Sequence, residues 1–110
     1  MPSEPMVLLQ GTLDVLVLRA LADGPKHGYA VSRWVRERTS GTLQIEDAPL
    51  YKALRRLEHD GCLAAEWGAS ENNRRARFYE LSAKGRRRLR AEASAWRRYA
   101  TAVSDVLGRA

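Results

Sequence analysis

The stretch DAPLYKALRRLEHDGCLAAEWGASENNRRARFYEL, Asp47 to Leu81, changes its hydrophobic period midway. Leu50, Ala53, Leu54 and Leu57 recur at i, i+3, i+4 and i+7, the spacing of one helix face. Asp47 is placed to cap that helix, and Pro49 is tolerated in a first turn, where its missing N–H has no helical partner. Ala48, Lys52, Arg55 and His59 fall on the opposite side at ~100° per residue. After Gly61 the period becomes two: Leu63, Ala65 and Trp67 alternate with Ala64 and Glu66, as in a half-buried strand. The polar run from Gly68 to Arg75 reads as a loop, and residues 77–81 as the return strand. A helix followed at once by a hairpin is the expected product.

Working outward, residues 1–9 read as a short arm in which Pro2 and Pro5 block early helix. Residues 10–22 read as a first helix with Thr12 as cap and Gly24-Pro25 as its stop. Its apolar residues, Leu13, Val15, Leu16, Val17, Leu18 and Leu21, cover most directions, so burial on more than one side is expected. A second helix spans His27 to Thr39, with Ala30, Val31, Trp34 and Val35 inward and Tyr29, Ser32, Arg33 and Arg36 outward. Leu43 and Ile45 alternate with polar neighbours and allow a very short strand. Ser82 caps a final helix from Ala83 to Leu107. Along it Leu89, Ala93, Trp96, Ala100, Val103 and Leu107 are spaced 4, 3, 4, 3 and 4, a heptad seam. Such a rod, about 37 Å long at 1.5 Å per residue, exceeds what a small domain covers. A second copy of the chain is therefore expected on the seam.

Helix, helix, helix, hairpin is the order of a winged helix-turn-helix. The expected fold is mostly α with a β wing, residues 1–82 forming a DNA-binding domain and 83–110 a long C-terminal dimerisation helix. The charge balance agrees, with 19 Lys and Arg against 13 Asp and Glu and a net charge of +6. An anionic partner follows, with nucleic acid first and an acidic membrane surface second. Ten of the basic residues lie between Arg74 and Arg98, where only Glu80 and Glu92 oppose them. Lys52, Arg55 and Arg56 on the third helix read as contacts to double-stranded DNA. Asn72, Asn73, Arg74 and Arg75 read as the wing tip, and Tyr29, Ser32 and Arg33 as a backbone-contacting face.

The segments QGTLDVLVLRALADGPKHGYAV (Gln10–Val31), LYKALRRLEHDG (Leu50–Gly61) and EWGASENNRRARFYELSAKGRRRL (Glu66–Leu89), with the Trp96 region, resemble the PadR family of bacterial transcriptional regulators. The likeness extends over nearly the whole chain and is to the compact branch of the family. It implies a homodimeric winged-helix protein, usually a repressor, released by a small molecule or another signal. Carried over by position, it implies a recognition helix from Leu50 to Asp60 with Tyr51, Lys52 and Arg55 near DNA, and Tyr29 near the backbone. It also implies a final helix that packs on the partner's first helix, which brings Leu13 and Leu16 into the dimer contact. Where the family usually has Gly-Ser before the Leu-Tyr pair and Pro after it, this chain has Ala48-Pro49 and Lys52. A small hydroxyl is lost and a cation gained.

Other functions find little support. His27 and His59 are far apart, and neither HExxH nor CxxC occurs, so no metal is expected. No phosphate-binding glycine loop is present, and no nucleophile, base and orienting group can be assembled, so neither enzyme nor cofactor is expected. The single cysteine, Cys62, forms no disulfide framework and reads as buried and inert, with no cationic motif aimed at it. The opening residues lack the basic start of a signal peptide, no apolar run approaches a membrane span, and a cytoplasmic protein is expected. Single-strand or RNA binding wants exposed stacking aromatics, for which Tyr29 and Tyr51 are the main candidates. A winged-helix module for protein interaction is the competing class, but its recognition face would be apolar or acidic rather than basic. Trp96 reads first as dimer core and second as a platform for a planar apolar or aromatic ligand.

Overall fold

A computed structural model describes residues 5–6, 8–9 and 11–108. The first four residues of the expected arm, Val7, Gln10 at the start of the first expected helix, and Arg109 and Ala110 lie outside the described residues. The elements run α1 (Leu13–Ala20), β1 (Lys26–His27), α2 (Gly28–Arg38), α3 (Asp47–His59), β2 (Leu63–Ala69), β3 (Arg75–Leu81) and α4 (Ala83–Leu107). The strands form one antiparallel sheet in the order β1-β3-β2. This is a winged helix, with three helices, a hairpin and a long final helix.

The helical stripes predicted from period form the core. Leu50, Ala53, Leu54 and Leu57 of α3 are buried against Val17, Leu18 and Leu21 from the first helical segment and Val31 and Val35 of α2. Leu63, Tyr79 and Leu81 close the core from the sheet. Each fully buried aliphatic side chain contributes about 1.5–3 kcal/mol over its exposed state, and this cluster is the main stabilising term of so small a domain. Ala30 and Trp34, expected inside, are only half-buried. Trp34 lies at the domain edge, where the cationic heads of Arg38, Arg19 and Lys26 stand 4.6, 5.4 and 6.0 Å from its ring centre. Cations favour the negative face of an indole.

Several boundaries differ from expectation, each for a local reason. α1 is shorter than residues 10–22, and Thr12 caps it by position alone, since its hydroxyl donates to the Leu9 carbonyl at 2.7 Å. His27 is not the first turn of α2. It belongs to β1, and its Nδ1 accepts from the Ala30 N–H at 3.3 Å, so an imidazole is the cap. β1 itself was not foreseen, because two residues carry no period. Asp47 lies inside the first turn of α3 with Glu46 before it, and there its charge favours the helix dipole. The expected strand near Leu43 is a single parallel bridge to Met6, whose N–H donates to the Thr42 carbonyl at 2.8 Å. The hairpin is longer than expected. Pairing runs from Leu63↔Leu81 to Ala69↔Arg75, which places Arg75 in a strand rather than in the turn. Trp67 is 55% exposed because the strand continues past the core.

α4 begins and ends where its sequence predicts. The Ser82 hydroxyl accepts from the Gly85 N–H at 3.0 Å and donates to the Gly61 carbonyl at 2.6 Å, joining cap and hairpin base. Gly85 rests on the backbone of Cys62, and a Cβ there would stand 2.1 Å from the Cys62 carbonyl oxygen. Further along, the Asp14 carboxylate accepts from both terminal guanidinium nitrogens of Arg56, at 2.7 and 2.9 Å, and from an Arg88 nitrogen at 3.1 Å. Arg88 also reaches Asp60, Glu92 and the sulfur of Cys62. The hydrogen bond that Arg88 donates to Glu92 is the main cause of an Arg88 pKa raised above the usual guanidinium range, partial burial opposing it. Cys62 is thus buried as expected, but a guanidinium does face it, 3.8 Å from the sulfur.

Gly85→Ala gains helix propensity yet has no room for its methyl group. We expect a net loss of about 1–3 kcal/mol from overpacking, read from the midpoint of a urea unfolding curve.

Candidate nucleic-acid interface

The outward face of α3 is as its period predicts. Lys52, Arg55 and His59 are exposed, and Tyr51 is partly so. Arg56 is the exception. Its guanidinium is held in a two-pronged pair with Asp14 and serves to fix α3 to α1. Periodicity places Arg56 beside Lys52 but gives no sign of an acid 42 positions upstream.

Gly28 brings α2 and α3 together. A Cβ on Gly28 would stand 2.6 Å from Cε1 of Tyr51, so a larger residue here would push the tyrosine ring aside. Tyr29 follows, largely exposed, its ring parallel to that of His27 at 6.4 Å between centres. The guanidinium of Arg33 lies 5.6 Å from the Tyr29 ring centre, and its Nη2 donates to Oε1 of Glu71 at 3.1 Å. That bond is the first cause of a raised Arg33 pKa. Ser32 is half-buried on the same helix.

The wing turn is closed by its own backbone. The Ser70 N–H donates to the Arg74 carbonyl at 2.8 Å, and the Asn73 N–H to the Ser70 carbonyl at 2.9 Å. Asn73 takes a left-handed φ of 57°, which asparagine tolerates better than most side chains. Glu71, Asn72, Asn73 and Arg74 are all exposed at the tip. Arg75 stands on β3 and extends over the Trp67 ring, 4.6 Å from its centre, with Arg77 at 5.8 Å. Arg77 also donates to Glu58 at 2.6 Å, tying the wing to α3.

Between α2, α3 and the wing lies a cleft of about 570 Å³, lined among others by Tyr29, Arg33, Tyr51, Glu71, Arg74 and Arg77. The fold therefore brings together five of the residues singled out on three separate segments: Tyr29, Arg33, Tyr51, Asn72 and Arg74. Lys52 and Arg55 project from the same helix as Tyr51, while Asn73 and Arg75 do not line the cleft. Glu71, Arg77 and Trp67 were not foreseen. The sequence signal for Glu71 was its position as the lone acid of the polar turn.

A second groove of about 530 Å³ runs between α1 and α4, with Leu9, Thr12, Val15, Glu92, Trp96 and Tyr99 along it. Leu89 packs on the domain's own core, and Leu13 and Leu16 are partly buried there too. Beyond it, Trp96, Tyr99, Val103, Val106 and Leu107 are exposed on a single chain. Among the described residues no group of three or more His, Cys, Asp or Glu side chains is placed to hold a metal ion. No described helix is long and apolar enough to cross a membrane.

Residues 17–91 match the model of the transcriptional regulator PadR-like family. A PadR family transcriptional regulator from Eggerthella lenta has a similar structure, with a TM-score of 0.75 and 32% identity, over 92% of this chain and 86% of that one. A PadR family transcription regulator from Clostridium difficile gives a TM-score of 0.75 at 25% identity, over 89% of this chain and 100% of that one. A transcriptional regulator from Clostridium thermocellum matches in fold, with a TM-score of 0.81 at 24% identity, over 90% and 96% of the two chains. These relatives are regulators of transcription rather than enzymes. With the family model matching more than half of its length, the chain belongs to the transcriptional regulator PadR-like family.

Proposed function

We propose that this protein is a cytoplasmic, sequence-specific DNA-binding repressor that acts as a homodimer and responds to a small molecule. The carrying observation is the convergence of Tyr29, Arg33, Tyr51 and Arg74 on one cleft beside the exposed Lys52 and Arg55 of α3. A major groove about 12 Å wide admits one helix, and a hairpin beside it reaches the flanking backbone. In this reading Lys52 and Arg55 face base edges or phosphates. Tyr29, Ser32, Arg33 and Tyr51 line the backbone, and Asn72, Asn73, Arg74 and Arg75 approach it from the wing. Residues 1–82 form the reading head and 83–110 the dimer element.

The seam of α4 supports the dimer. α4 has 25 residues, and past Leu89 its apolar side chains have little of their own domain to cover them. Heptad spacing offers a partner helix a continuous apolar strip through Ala93, Trp96, Ala100, Val103 and Leu107. Leu13 and Leu16, partly covered within their own chain, contribute their remaining surface. Trp96, 43% exposed at the α1–α4 groove, is the candidate platform for a planar apolar or aromatic ligand.

Three outcomes check this reading. Arg55→Ala is expected to weaken binding to the promoter upstream of the protein's own gene by about 1–3 kcal/mol, with little change on unrelated duplex. An equal loss on both would make Arg55 a phosphate contact. Arg74→Ala is expected to flatten the dependence of log affinity on log salt by about one unit. Sedimentation of the full chain is expected to give a dimer, and Val103→Asp, which sets two carboxylates against each other on the seam, a folded monomer. A parent protein that sediments as one copy and ignores duplex DNA in dilute salt would overturn the proposal.

A further inference from the structure

The turn between β2 and β3 carries one acid, Glu71, beside Asn72, Asn73 and Arg74. Its side chain is largely exposed, yet it reaches back across the cleft. Oε1 accepts from Arg33 Nη2 at 3.1 Å, joining groups 38 positions apart in sequence. Glu71 is the lone carboxylate among the residues that line the cleft, whose other charged side chains include Arg33, Arg74 and Arg77. Arg77 is already held by Glu58, so Glu71 meets the cation that α2 turns toward the cleft. A carboxylate and a phosphate offer a guanidinium the same kind of charged oxygen acceptor.

We propose that Glu71 is an internal stand-in for a DNA phosphate, a wing carboxylate that occupies Arg33 until the duplex backbone displaces it. This rests on the DNA-binding reading above and adds a residue that opposes binding. To grip the backbone, Arg33 exchanges one oxygen acceptor for another, so its contact brings less than a free guanidinium would. The displaced carboxylate must also turn away from the phosphates, because like charges repel. The turn allows this. Its backbone hydrogen bonds, Ser70 to Arg74 and Asn73 to Ser70, do not use the Glu71 side chain. In the free protein the same ion pair holds the wing against α2. Glu71 therefore lowers affinity for every duplex and makes binding depend on what the rest of the interface supplies.

The test uses the full chain and a mixed-sequence duplex about three helical turns long, with affinity read by fluorescence anisotropy. Glu71→Gln keeps the size of the side chain and removes its charge. It is expected to bind about two- to fivefold more tightly at low salt, the range of an exposed ion pair. The gain should shrink as salt rises and screens the charges. In an Arg33→Gln background the gain should be smaller, since only the general repulsion remains to be relieved. A Glu71→Gln protein that binds no better than the parent, or one that gains equally with and without Arg33, overturns the inference. Arg74→Ala separates this from failure of the broader reading. If Arg74→Ala weakens binding while Glu71→Gln leaves it unchanged, only the stand-in role falls. If the parent and Arg74→Ala alike ignore the duplex in dilute salt, the DNA-binding reading falls and the stand-in role falls with it.

Discussion

Asp14 is a single carboxylate shared by two guanidiniums from different helices. Arg56 approaches it from α3 and Arg88 from α4, while Asp14 itself rides on α1. Apolar packing is non-directional and would let these helices slide or rotate by small amounts. Charge-assisted hydrogen bonds fix geometry, most of all where a guanidinium fork meets a carboxylate. α3 carries the exposed basic face and α4 the exposed apolar strip, and this junction ties the one helix to the other. Arg88 extends it, touching Asp60 at the end of α3, Glu92 beside the α1–α4 groove, and Cys62 at the start of the hairpin.

That arrangement gives the two ends of the molecule different chemistry. On one side the cleft between α2, α3 and the wing is rich in guanidiniums and phenols, suited to an anionic, hydrogen-bonding partner. On the other, the outer half of α4 is an exposed strip of Trp96, Val103 and Leu107 with Tyr99 and Val106 nearby, suited to another apolar surface. Glu92 belongs to both the polar junction and the edge of the α1–α4 groove. Glu92, Arg88, Asp14 and Arg56 thus form a continuous chain of ion pairs from the edge of that groove to α3.

Charge in the wing is less one-sided than its composition suggests. The polar turn reads as a basic tip, but folding returns Arg77 to Glu58 and Arg33 to Glu71. Arg75 lies over Trp67, where the indole face favours its charge. Arg74 is a tip cation with no ion pair among the described residues. Counting arginines thus overstates the charge available to a polyanion, because several have intramolecular partners drawn from distant segments.

What the sequence by itself determined was whatever depends on neighbours a few positions apart. The α3 stripe, the Ser82 cap, the span of α4 and the helix-then-hairpin order follow from periods of 3.6 and 2 and from local capping chemistry, and the structure has them. The outward positions of Lys52 and Arg55 follow from the same period. Only the tertiary structure decided which cations stay free. Arg56 and Lys52 are four positions apart on one helix, yet Asp14 takes one of them. β1 exists because His27 pairs with Phe78 across the fold, and Glu71 matters because it meets Arg33. Pairings of this kind join residues tens of positions apart, and their energies depend on distances that no local pattern of residue types encodes.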